Sequence, residues 1–241
     1  MQANEYEREI QRLFERWAQK QGDAIDGVSL ERRWFIADGI VHYDTWSDLP
    51  PERRILFVLK EVNDPECNRN WTIQELLIED YKYRMWRRLA EWARGILLTE
   101  SSKPAPAFEE FPDVKDADDW LRKIAVINLK KYPGGGSADM ATISRCARQD
   151  RSEILEELRL IDPAIIICGG TYGVFSEILS LPADSIRISN PTLGYHYATI
   201  FDKERLIIDF WHPANFYPMT LNYYGITGIY QHAIRAKNSM R

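Results

Sequence analysis

A histidine beside a proline, His212-Pro213 within Trp211-His212-Pro213-Ala214-Asn215-Phe216, directly follows the apolar run Leu206 to Phe210. Proline fixes its own φ and stiffens the loop, so an imidazole leaving a strand end there is placed to touch a ligand. Three other apolar runs end on polar residues in the same way. Leu59 leads into Lys60-Glu61-Val62-Asn63-Asp64-Pro65, which offers two carboxylates and an amide. Asn128 closes a second run, followed by Lys130-Lys131-Tyr132-Pro133-Gly134-Gly135-Gly136-Ser137, and Cys168 leads into Gly169-Gly170-Thr171. If the runs are neighbouring strands, one carboxylate, one amide, one imidazole and two glycine-bearing loops converge on a single rim.

Each of these side chains also has a plain structural use. Asn128 could cap the loop it begins, Glu61 could pair with Lys60 or Arg54 at the surface, and Phe216 and Tyr217 could be core aromatics. Trp71 is either a stacking platform for a ligand or a packing residue at a helix start. The glycine triplet could wrap a phosphate with backbone amides or act as a flexible turn, and it fits neither a P-loop nor a dinucleotide fingerprint. His42, His196, His212 and His232 lack metal-ligand spacing, so no metal is expected. Cys67, Cys146 and Cys168 are three widely spaced thiols without a CxxC pair, read as reduced.

The elements that must position these residues follow from hydrophobic periodicity. Continuous apolar runs at 55–59, 124–129, 164–168 and 206–210 predict strands buried on both faces. They alternate with helical patterns at 72–98, 142–160, 171–180 and 220–236. That alternation predicts a three-layer α/β/α sandwich around a central, mainly parallel sheet, in one domain over 1–241. Ligands of such sheets bind outside the carboxyl ends of the strands. Tyr6, Ile10, Leu13, Phe14 and Trp17 predict an N-terminal amphipathic helix, with Asn4 and Glu7 as its capping pair. Residues 34–41 read as a hairpin turning at Asp38-Gly39, and 197–200 with 206–210 as a second around Asp202-Lys203-Glu204. The helix and first hairpin form an extension over about 1–50. The segment 99–119, rich in Pro, Ser and acid, reads as a long, mobile insert.

A chain of 241 residues with 45% hydrophobic composition can bury a sizeable core. No run of eighteen apolar residues and no signal-peptide plan is present, which predicts a cytoplasmic protein without a membrane partner. The net charge of −5 excludes a generally basic nucleic-acid coat. Local positive faces remain. One groups Lys82, Arg84, Arg87, Arg88 and Arg94 with Tyr81, Tyr83, Trp86 and Trp92; another joins Lys130 and Lys131 to Arg145, Arg148 and Arg151.

Taken in order, Glu61, Asn128, Gly169 and His212-Pro213-Ala214 resemble the motifs of the uracil-DNA glycosylase superfamily, over residues 55–218. Asn128-Leu129-Lys130-Lys131-Tyr132-Pro133 and Ile161 to Gly169 look most like its thermophile-type branch. The resemblance implies hydrolysis of the N-glycosidic bond of a flipped base, leaving an abasic site. His212 would bond the departing base, Asn128 would read its edge with Asn63 and Trp71 nearby, and Glu61 or Asp64 would position water. Two registers stay open in the first loop; Glu61 is preferred because it emerges directly from the strand end. Lys130, Lys131, Gly135, Ser137 and Gly170 would face DNA, with Phe216 as an apolar wedge. The branch's iron-sulfur cluster needs four cysteines, so none is expected and no cofactor is implied. Ala214 stands for the usual serine, which loosens a phosphate contact. The altered first loop leaves two targets open, uracil or an enlarged pyrimidine such as those of phage DNA, the latter in antiviral defence. A binding module without activity and an enzyme for free nucleotides are the other readings. A monomer is expected.

Overall fold

The computed structural model describes residues 2–20, 34–75, 84–111, 114–181, 186–190 and 193–239; Tyr81, Lys82 and Tyr83 lie outside them. In chain order the elements are α1 (Ala3–Gln19), β1 (Ile36–Ala37), β2 (Gly39–Ile40), α2 (Tyr43–Ser47), β3 (Ile55–Leu59), β4 (Trp71–Thr72), α3 (Arg84–Leu98), α4 (Val114–Leu121), β5 (Ile124–Asn128), α5 (Met140–Gln149), α6 (Arg151–Ile161), β6 (Ile165–Gly169), α7 (Tyr172–Ile178), β7 (Ile186–Asn190), β8 (Leu193–Ile200), β9 (Lys203–Phe210) and α8 (Met219–Ser239).

The four apolar runs lie in one seven-stranded sheet, ordered β2-β5-β3-β6-β9-β8-β7. The central pairs β5-β3, β3-β6 and β6-β9 are parallel, and antiparallel strands flank them on both sides. All residues of β3, β5 and β6 are buried because both faces are covered. Ile55, Phe57 and Leu59 pack against Leu89 and Trp92 of α3 and Ile226 of α8, while Leu56 and Val58 face Leu13 and Trp17 of α1 and Leu158 of α6. Each such side chain stabilises the fold by about 1.5–3 kcal/mol. The architecture is mixed α/β, with a mostly parallel central sheet between helices. Among the described residues no helix is long and apolar enough to cross a membrane.

Five local expectations need correction. Residues 34–41 are not a hairpin: β1 pairs in parallel with β4, whereas β2 joins the main sheet antiparallel to β5. Asp38 and Gly39, the latter at φ +112°, turn the chain from one sheet to the other. Helix α1 begins at Ala3 with Gln2 before it and no side-chain cap, so Asn4 and Glu7 form no capping pair. The helix expected over 142–160 divides at Asp150 into α5 and α6. The β8-β9 turn falls at Phe201-Asp202, whose φ values of 51° and 61° fit a two-residue hairpin. The insert is pinned, not free: Tyr223 donates to Pro106 O at 3.1 Å, Tyr224 Oη accepts from Phe108 N at 3.0 Å, and Gln231 donates to Lys103 O at 2.7 Å.

Candidate active site

Register sets Asn128 beside Leu59, Val58 beside Cys168 and Gly169 beside Phe210, so the loops after β5, β3, β6 and β9 leave one edge of the sheet. Three strand spacings put the ends of β5 and β9 about 14 Å apart across this rim. Asn128 and the His212 loop therefore share a side of the molecule.

The loops after β3 and β5 run together. Leu129 and Lys130 donate backbone hydrogen bonds to Leu59 O and Lys60 O, each at 3.0 Å, and Gly134 donates to Val62 O at 2.8 Å. Asn63 and Gly134 form a parallel bridge, leaving the Asn63 side chain exposed. Glu61 is ion-paired with Lys130, and both side chains are largely buried, at 7% and 12% exposure. The Glu61 carboxylate lies directly over Gly134, where any Cβ would come within 2.4 Å of it. Glycine at 134 is thus a packing requirement. Asp64 turns the other way and accepts from Trp71 Nε1 at 3.2 Å. Trp71 is 9% exposed within the core on the α3 side, so it packs and does not serve as a stacking platform.

Asn128 is buried, and its backbone N and Nδ2 donate to Asp38 Oδ2 at 2.7 and 3.2 Å. A carboxylate accepts only, so this contact fixes the amide with its nitrogen toward Asp38. The other Asp38 oxygen meets Lys131, which also lies 2.8 Å from Glu157; all three side chains are fully buried. Lys131 is therefore not a DNA contact. Successive residues leave a strand end on opposite faces, and Lys131 enters the core beside Trp17 while Lys130 stays at the rim. Burial raises the Glu157 carboxyl well above the usual range, the Lys131 charge opposing it and Asp38 adding to it.

His212 is set by its own loop. Its Nδ1 accepts from Ala214 N at 3.2 Å, which leaves Nε2–H as the ring donor, and its carbonyl accepts from Asn215 N and Nδ2. Pro213 packs on Gly169, where a Cβ would come within 3.1 Å of the proline ring. The loop is clamped from α3. The fully buried Arg88 guanidinium donates to Pro213 O at 2.5 Å, Asn215 O at 3.0 Å and Tyr217 O at 2.9 Å. Asn222 of α8 adds bonds to Asn215, Tyr217 and Pro218.

Burial, and next the Lys60 charge, lower the imidazole of His212 to about 4 from the ordinary 6.5. Its folded value is depressed, so its stabilising contribution is complete above pH 6.5 and is lost as pH falls toward 4. Unfolding midpoints of wild type and His212→Asn, followed from pH 7.5 to 4, should converge as pH falls. Parallel slopes would mean that the imidazole is not held neutral.

The remaining expected contacts divide. Gly135, Gly136 and Ser137 are exposed, with open space where Cβ atoms of the glycines would lie. Asp139 caps the start of α5, so a carboxylate already occupies that helix end. The Gly170 N–H is spent on Cys168 O and Phe210 O and cannot bind a phosphate. Arg148 pairs with Glu177 and Arg151 donates to Ile178 O, tying Arg148 of α5 and Arg151 of α6 to α7. Phe216 is 99% exposed, which excludes a core role. Arg88, expected on a basic surface, is instead the clamp described above. Asp38 and Arg88 escaped the sequence reading as site residues, although Arg88 lies within the apolar stripe of Met85, Leu89, Trp92 and Ile96.

A cavity of about 820 Å³ opens between α1 and the β1-β4 pair, with Tyr6, Phe14, Asp38, His42 and Asn70 in its walls; Glu61, Asn128 and His212 do not line it. The rim, with its convergent polar groups, is the better site. Among the described residues no group of three or more His, Cys, Asp or Glu side chains could hold a metal ion. In comparison with known proteins, no family model matches the chain, and no curated protein is significantly similar to it.

Proposed function

We propose that this protein is a DNA glycosylase that hydrolyses the N-glycosidic bond of a pyrimidine flipped out of DNA, leaving an abasic site. The observation that carries this reading is that the loops bearing Glu61, Asn128 and His212 leave one rim, with Nδ1 of His212 accepting from Ala214 N and Nε2–H left to donate. Bond cleavage builds positive charge on the sugar and negative charge on the base. His212 Nε2–H bonds the base oxygen as the base departs with the bonding pair. Glu61, tied to Lys130 through one oxygen, holds water with the other; the water oxygen joins C1′ and its proton passes to the carboxylate. Asn128 reads the base edge. The base must first leave the stack, and the exposed Phe216 fills the gap as a wedge.

An enlarged base is the second reading, and the first loop favours it. Residues 60–70 contain no aromatic side chain, and Trp71 is turned into the core, so this loop sets no ring over a substituent. Such an enzyme would attack modified phage DNA in antiviral defence. DNAs containing uracil, hypoxanthine or modified cytosines, incubated with the protein and treated with alkali, should break at one class of base. Binding without breakage of any of them would support a silent binding module; release of base from free nucleosides alone would support a free-nucleotide enzyme.

A further inference from the structure

Lys60 is the first residue beyond β3, and its side chain crosses the end of β6. Its Cε lies 3.5 Å from the point a Gly170 Cβ would occupy, and His212 Cβ and N lie 3.5 Å from that same point. Gly170, at φ +67°, has no side chain, so the lysine stem and the base of the His212 side chain flank one gap at the rim. Among the described residues no acceptor or carboxylate meets Lys60 Nζ, because Glu61, its sequence neighbour, is taken by Lys130. With no protein partner among the described residues, this ammonium can take an anion at the rim.

We propose that Lys60 is a catalytic residue that contacts the oxygen of the departing base beside His212 and sets a full positive charge against the negative charge forming there. The inference rests on the glycosylase reading and deepens it. A neutral imidazole donates a hydrogen bond but carries no net charge, and a fixed cation next to it discourages its protonation. The two groups thus divide the work: His212 gives direction, Lys60 gives charge. A contact to a DNA phosphate would act alike in ground and transition states, whereas a contact to the leaving base grows as the bond breaks.

The test compares wild type with Lys60→Met and Lys60→Arg. Single-turnover excision is measured on a cleavable substrate, affinity on DNA carrying an uncleavable abasic analogue, and the His212 imidazole is titrated by NMR. Lys60→Met should slow excision about 100-fold with affinity nearly unchanged, and Lys60→Arg should restore part of the rate. The loss should be greater for a base that leaves poorly than for one activated by an electron-withdrawing group at C5. The His212 midpoint should rise in Lys60→Met. Weakened affinity at an unchanged rate, equal losses for good and poor leaving groups, or an unmoved His212 midpoint would each overturn the role of Lys60. Absence of excision by wild type from every modified DNA, with the His212 midpoint still responding to Lys60→Met, would instead overturn the glycosylase reading and the proposed role with it.

Discussion

On the proposed glycosylase reading, replacing His212 by alanine should slow base excision by about two orders of magnitude or more, the scale of losing one donor to a developing anion. DNA affinity should change little, because that donor acts chiefly in the transition state. The fold should survive, since His212 lies at a rim and its loop is held through backbone carbonyls by Arg88 and Asn222. Asn128→Ala serves as the contrast. It removes a contact to the base made before and during cleavage, so rate and recognition should fall together. Single-turnover excision and fluorescence anisotropy on the same DNA separate the two cases, and full excision by His212→Ala would make the His-Pro loop structural.

Arg88→Met should cost on the order of 3 kcal/mol or more of stability, since a hydrogen bond involving a charged group contributes about 1.5–3 kcal/mol and three are lost. Three carbonyls lose a charge-assisted donor at once, and an apolar side chain offers nothing in return. Glu91, one turn along α3, is 1% exposed and also loses a nearby positive charge. Arg88→Lys should recover only part of the loss, because an ammonium lacks the planar fork that reaches several acceptors. Urea unfolding gives the stability, and excision well below the variant's midpoint shows whether the loosened loop also slows the reaction. A stability change under 1 kcal/mol for Arg88→Met would show that Asn222 alone holds the loop.

What the sequence made legible followed its strongest pattern. Ile55 to Leu59 and Ala164 to Cys168 read as strands covered on both sides, and their order predicted the polar rim beyond them. Local signals failed where a distant charge outweighed them. Asp38-Gly39 is a good turn pair, yet the buried Lys131 and the Asn128 amide draw Asp38 across to β5, and the strands on either side of it part company. Lys130 and Lys131 look alike in the sequence, and only the strand end decides that one faces the rim and the other the core. Trp71 carried no sign of its direction until Asp64 was seen to hold its indole.

The bond between Asp38 and Asn128 spans 90 residues of chain. Asp38, Lys131 and Glu157 are buried as one group, since the Lys131 ammonium buried without the carboxylates beside it would carry an uncompensated charge. Helix α1 closes over them, with the Trp17 ring 5.0 Å from the Lys131 ammonium. Helix α1 and Asp38 are thus integral to the sheet's polar rim. A chain lacking the segment that bears them would lose both the Asp38 carboxylate that holds the Asn128 amide and the helix that covers the Lys131 ammonium.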